Sequence, residues 1–151
     1  IKKAIKFAEK RNITTVFSLS DAGLTKMFRK SFEDFIKMHV DILVGNSNEF
    51  SSLFKESDLN AISKKASLIV NNSVMTCGEN GAVFFKNGNL KKFGAYFNDN
   101  IVDTTGAGDM FASGFLYKLN LDEKIEDCID FGSKVASRVL SQYGGRLDEF
   151  N

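Results

Sequence analysis

Asp103-Thr104-Thr105-Gly106-Ala107-Gly108-Asp109 runs directly into Met110-Phe111-Ala112-Ser113-Gly114-Phe115-Leu116. A short apolar stretch enters a glycine turn, and the turn opens a segment with helical spacing, marked by Phe111, Phe115, Leu116 and Leu119. Gly106 and Gly108 let backbone come close to a bulky ligand and permit positive φ. A helix start has N–H groups without intrahelical partners and carries roughly +0.5 of a charge, so it attracts anions. Asp109 falls in the first turn, with its carboxylate beside that site. A positive pocket next to a carboxylate suits phosphoryl transfer: amides stabilise the transferring group, and the carboxylate takes the proton of an attacking hydroxyl.

Alone, an Asp in a first helical turn is ordinary dipole stabilisation, and an Asp or Thr before a helix is an ordinary cap. The whole run is far more specific. Over its fourteen residues it resembles the C-terminal signature of the ribokinase-like (PfkB) carbohydrate kinase family. The resemblance implies that Asp109 is the catalytic base, that Gly106, Ala107 and Gly108 form the anion hole, and that ATP is the phosphoryl donor. Two other phosphate motifs are absent. No Gly-x-x-x-x-Gly-Lys-Ser/Thr occurs, and Gly106-x-Gly108 is followed by Phe111 where a dinucleotide motif needs Gly.

Two further stretches fit the same family. Asp41-Ile42-Leu43-Val44 reads as a short strand running into Gly45-Asn46-Ser47-Asn48-Glu49. Ser47 or Asn48 is expected to cap a helix carrying Phe50, Leu53 and Phe54, with Glu49 in its first turn. Asn46 and Glu49 match the family's Asn-x-x-Glu motif, which implies that they organise water and Mg²⁺ around the nucleotide phosphates. Mg²⁺ keeps most of its waters, so one carboxylate and one amide suffice. Val74-Met75-Thr76 reads as a strand ending at Cys77-Gly78-Glu79-Asn80-Gly81. Thr76 and Gly78 match a Thr-x-Gly that lies near the ATP phosphates in the family, and Gly81 is taken with them as cofactor-binding. Late in the chain, the resemblance implies a monovalent cation, K⁺, held by Asp103, Thr105 and the backbone of Gly145. The chain departs from the family at Gly132-Ser133-Lys134, where Asn-Ala-Ala is usual, and at Gly145-Arg146-Leu147, where Pro is usual.

The remaining chain supplies the alternation of an α/β fold. Ile1, Ala4, Ile5 and Ala8 mark a helix, and Thr14 to Leu19 reads as a buried strand. Leu24 to Met38 reads as one helix with Phe28, Phe32, Phe35 and Ile36 as its core stripe. Leu59 to about Val70 reads as helical, with strand as the alternative for Leu68-Ile69-Val70. Lys86-Asn87-Gly88-Asn89 signals a hairpin. Ala95 to Val102 reads as extended, and a last helix is expected from Asp122 to a glycine stop at Gly144-Gly145. The expected architecture is an open, mostly parallel sheet with helices on both faces, ribokinase-like, with ligands beyond the carboxyl ends of the strands.

Composition narrows the class. The 151 residues are 43% hydrophobic and 26% charged, with a net charge of +1. That balance favours neither nucleic acid nor a membrane surface, and no apolar run is long enough to span a bilayer. The two cysteines, Cys77 and Cys128, form no motif, so a cytoplasmic location is expected. With one histidine, His39, at the end of an amphipathic segment, neither a His-based metal site nor a Ser-His-Asp triad is expected, and His39 reads as structural. Fifteen Phe and no Trp or Pro carry no functional reading. The chain opens Ile1-Lys2-Lys3-Ala4 in mid-rhythm without Met. Residues 1–151 are therefore expected to be the C-terminal nucleotide-binding part of one ribokinase-like domain, without its N-terminal half and lid. Such a piece alone would bind nucleotide weakly and not turn over.

The leading reading is an ATP-dependent kinase acting on a primary hydroxyl of a nucleoside or sugar, closest in look to the adenosine-kinase-like branch. Its partner would be that small molecule, with a homodimer left open. The alternatives are a ribokinase- or fructokinase-type sugar kinase and a non-catalytic nucleotide-binding module. Retention of Asp109 argues against the module, and the missing third glycine argues against a dehydrogenase.

Overall fold

A computed structural model describes residues 2–146. Five strands, β1 (Val16–Ser18), β2 (Ile42–Asn46), β3 (Asn72–Thr76), β4 (Ala82–Lys86) and β5 (Asn89–Phe93), form one sheet in sequence order. The pairs β1–β2 and β2–β3 are parallel. β4 and β5 are joined by Asn87 and Gly88, whose φ values of 52° and 78° are those of a two-residue hairpin turn. Among the described residues there are seven α-helices: α1 (Lys2–Arg11), α2 (Ala22–Met27), α3 (Arg29–His39), α4 (Ser47–Phe54), α5 (Leu59–Ala66), α6 (Ala107–Leu119) and α7 (Ile125–Val139). This is the expected α/β fold with an open, mostly parallel sheet.

The chain divides into two compact units. The first runs to Thr76 and adds Val83–Lys91. Its core follows from strands buried on both sides. β2 buries Ile42, Leu43 and Val44 in succession, and β4 buries Val83, Phe84 and Phe85. Successive strand residues face opposite sides, so both faces of this sheet are covered, as parallel strands require. α4 packs against α2, α3 and α5. It sends in Phe50, whose ring lies 5.9 Å from those of Phe54 and Phe85. A fully buried side chain of this size contributes about 1.5–3 kcal/mol, which accounts for many of the phenylalanines: they fill the core.

The second unit comprises Cys77–Ala82 and the chain from Lys92 on. α6 and α7 pack tightly together in it. Gly114 and Gly132 face each other at their crossing: a Cβ on Gly132 would lie 2.8 Å from the Phe111 carbonyl oxygen. The absence of side chains there lets the backbones approach. Phe115, Cys128, Ile129 and Val139 are fully buried around this contact.

Several expectations need correction. The predicted strand over Thr14 to Leu19 shrinks to three residues, β1, which lies at the sheet edge and is half exposed. The helix expected over Leu24 to Met38 is two helices. Phe28 leaves helical geometry at φ −107° and ψ 22°, closing α2 and opening α3. Apolar spacing runs on across one such residue, so periodicity does not reveal the break, and Phe28 itself is 47% exposed while Ile36 is fully buried. α5 stops at Ala66, short of Val70. Ala95 to Val102 forms no strand. α7 begins at Ile125, because Asp122 sits at φ 57° in the preceding turn, and it ends at Val139, before Gly144.

Candidate active site

The glycine turn lies wholly in the second unit. Gly106 is the N-cap of α6 at φ 79°, and Asp109 lies in the first turn of the helix. Gly106 is required twice over: an L side chain is strained at that φ, and a Cβ would overlap Gly145 Cα. The first helical bond is from Met110 N to Gly106 O at 2.8 Å, and Ala107 N reaches Thr104 O at 3.3 Å. Among the described residues, the amides of Gly106, Gly108 and Asp109 have no acceptor. A Cβ on Gly108 would meet nothing within 4 Å, so the space beside these donors is open. The donor set for an anion is therefore Gly106, Gly108 and Asp109. Ala107, expected in the anion hole, has its amide turned to Thr104. Asp109 is exposed and its carboxylate has no partner among the described residues, so its lone pairs are available to a proton. Three free amides and open room fit a phosphate group.

Asp103 braces this turn. One carboxylate oxygen accepts from Thr105 N at 2.9 Å and the other from Gly144 N at 3.1 Å. Hydrogen bonds from Thr105, and then from Gly144, hold the Asp103 carboxyl below its ordinary pKa. Each Asp103 oxygen accepts one bond and keeps capacity for another, so these bonds leave the carboxylate able to face a cation beside Thr105 and Gly145.

The second cluster lies in the first unit, at the carboxyl end of β2. The residue that caps α4 is Asn46, not Ser47 or Asn48. Its side chain accepts from Glu49 N at 3.0 Å, while Glu49 accepts from Asn46 N at 2.9 Å and from Asn46 Nδ2 at 2.8 Å. The Asn-x-x-Glu spacing is thus a reciprocal capping box. Glu49 is buried, 6% exposed, beside Gly45, where a Cβ would crowd its Oε2 at 2.8 Å. Burial pushes the Glu49 carboxyl up, the Asn46 hydrogen bonds oppose this, and the charge of Asp21 adds to the rise. Each Glu49 oxygen accepts one bond and keeps capacity for another. That suits a hydrated Mg²⁺ held through its water and not a direct ligand shell. Among the described residues no group of three His, Cys, Asp or Glu could hold a metal.

Thr76 ends β3 directly across from Asn46 in the parallel register. Gly78 begins a short 3₁₀ turn, exposed at φ 58°. Gly81 behaves differently from expectation. It is buried at φ 83° and packs on the backbone of Phe93 and Gly94, so it has no open surface for a nucleotide. Sequence reasoning missed Asn98 and Ser141, which hold the chain entering the glycine turn. The turn-forming run Asn98-Asp99-Asn100 is the one signal that points there.

Known proteins are similar to this chain over most of its length. The description "pfkB family carbohydrate kinase" matches residues 1–149. Ribokinase from Staphylococcus aureus is 28% identical over 163 residues, covering 100% of this chain and 51% of that protein. The 5-dehydro-2-deoxygluconokinase of Listeria monocytogenes is 28% identical over 152 residues, covering 95% of this chain and 46% of that protein. The crystal structure of adenosine kinase from Sinorhizobium meliloti superposes with a TM-score of 0.93 at 28% identity, over 98% of this chain and 46% of that one. The chain spans about half the length of the relatives it matches. Among the described residues no helix is long and apolar enough to cross a membrane.

Proposed function

This chain belongs to the pfkB family of carbohydrate kinases, and from that premise we propose that it carries the phosphoryl-transfer machinery of an ATP-dependent kinase for a primary hydroxyl of a nucleoside or sugar. The observation behind this reading is the opening of α6. Three free amides and an unpartnered carboxylate lie within one helical turn, beside open space.

The chemistry follows from those positions. ATP, when bound, supplies the phosphoryl group. Asp109 accepts the proton of the acceptor hydroxyl as that oxygen attacks the terminal phosphorus and the bond from phosphorus to the bridging oxygen breaks, releasing ADP. The amides of Gly106, Gly108 and Asp109 donate to the non-bridging oxygens, where charge accumulates in the transition state. The positive end of the α6 dipole acts in the same direction. Asn46 and Glu49 would hold Mg²⁺ through its water, and the ion would supply positive charge to the phosphates. Thr76 and Gly78 line the nucleotide, and Asp103 keeps the turn in shape.

The acceptor divides the family. Likeness to adenosine kinase favours a nucleoside, and likeness to ribokinase favours a sugar. The test is ATP-dependent phosphorylation by the longest polypeptide that the gene encodes. Adenosine, other nucleosides, ribose and fructose are assayed, with Asp109→Asn alongside. Turnover on one acceptor, reduced ~10²–10⁴-fold in the variant, is expected for loss of a general base. Unchanged turnover in the variant removes Asp109 from this role. ATP binding without turnover on any acceptor favours a non-catalytic nucleotide-binding module.

A further inference from the structure

We propose that Asn98 is a positioning residue that pins the entry of the Asp103–Asp109 turn onto the C-terminal turn of α7; the inference rests on the kinase reading above. Residues 94–102 form no helix or strand, and all are exposed except Asn98. Phe97, its neighbour, is 90% exposed. An irregular run of this kind loses backbone entropy on ordering, so its placement depends on the few bonds that hold it.

Asn98 supplies those bonds through both ends of its amide. Its Nδ2 donates to Ser137 O at 2.5 Å and to Ser141 Oγ at 2.9 Å. Its Oδ1 accepts from Asn100 N at 2.9 Å and from Ser141 Oγ at 3.3 Å. The last carbonyls of a helix have no intrahelical donor, and this segment provides donors to α7 from outside. Four residues beyond Asn98 the pattern continues. Val102 N and Asp103 N both donate to Leu140 O, at 2.7 Å and 3.3 Å. Gly144 N then returns a bond to Asp103 Oδ2. The chain from Asn98 to Asp103 thus lies along residues 137–144, and the glycine turn begins where that contact ends. Tyr96 makes another side-chain tie of the run, from its hydroxyl to Asp130 Oδ2 at 2.8 Å, but to the middle of α7 and not to its end.

Asn98 touches no reacting group. It acts through the position of Asp103, and hence of the amides and of Asp109. A displacement of about 1 Å in a catalytic group costs on the order of 10²-fold in rate.

The test compares Asn98→Ala and Tyr96→Phe with the unaltered protein, in the longest polypeptide that the gene encodes. Steady-state kinetics and residue-resolved amide hydrogen exchange are both read. In Asn98→Ala, exchange at the Val102, Asp103 and Gly144 amides should quicken by about tenfold or more while Leu43 in β2 is unchanged. The kcat should fall by about 10- to 100-fold with KM for ATP and acceptor within about twofold. Tyr96→Phe should leave both readouts near the parent's. Unchanged exchange at the three amides overturns the proposal. So does faster exchange with unchanged kcat, an equal rise at Leu43, or an equal loss of kcat in Tyr96→Phe. If the parent phosphorylates no acceptor, the kinase reading fails on its own, and exchange at the three amides decides whether Asn98 pins the turn.

Discussion

Asn46 and Thr76 are register partners across the parallel pair β2–β3, so the two polar residues that end these strands stand side by side. Parallel strands deliver their carboxyl ends to one edge, and that edge is where open α/β sheets bind ligands. The residues before them, Val44, Val74 and Met75, are buried. Polarity therefore begins where each strand leaves the core. Asn46 is tied in turn to Glu49, which places Thr76 and the Asn-x-x-Glu pair at one edge of one sheet.

Glu49→Gln should separate the structural and chemical roles of that pair. Both carboxylate oxygens accept from Asn46, whereas a Gln presents one NH₂ to a donor. The cap weakens, at a cost of about 0.5–2 kcal/mol. Relief of a desolvated charge keeps the loss toward the lower end. Urea denaturation should show that loss, and half-maximal turnover should need more Mg²⁺. An unchanged Mg²⁺ requirement would leave Glu49 as a cap alone.

Gly106→Ala and Gly108→Ala should differ sharply although only Ala107 lies between them. At Gly106 the left-handed backbone costs a side chain about 1–2 kcal/mol, and overlap with Gly145 adds overpacking of about 1–3 kcal/mol. Thermal unfolding of Gly106→Ala should begin at lower temperature, with turnover lost. Gly108 is helical with open space beside it. Its Ala variant should melt like the parent and still lose rate, because the methyl enters the room next to the amides. Equal melting of the two variants would contradict the close approach of Gly106 and Gly145.

Asp103 should give the turn an acid limit. Hydrogen bonds from Thr105 and Gly144 lower its pKa in the folded state, below an unfolded value near ~3.9. A depressed carboxyl contributes stability above its unfolded pKa and loses it as pH falls through the folded one. The parent should therefore be more stable than Asp103→Asn near neutrality, and the difference should shrink on acidification below about pH 4. Urea midpoints measured from neutral to acid pH test this. A constant difference across that range would show that the carboxylate bonds to Thr105 and Gly144 carry no charge-dependent stability.

Sequence by itself determined whatever is encoded within a turn or two of chain. The alternation of strand and helix, the Asn87-Gly88 hairpin, and the glycine turn that opens α6 with Asp109 in its first turn are local matters of dihedral preference and apolar spacing. Tertiary structure decided what depends on partners distant in the chain. Asp103 finds Gly144 N, Gly106 meets Gly145, and Asn98 finds Ser137 and Ser141. No spacing rule links these positions, because the packing of α7 brings them together. The same cause explains the misread segments. Ala95 to Val102 reads as extended, yet Asn98 and Val102 N bond to the end of α7 and the run pairs with no strand. Gly81 looks like an open phosphate glycine in sequence and is closed by Phe93, which only the fold places against it.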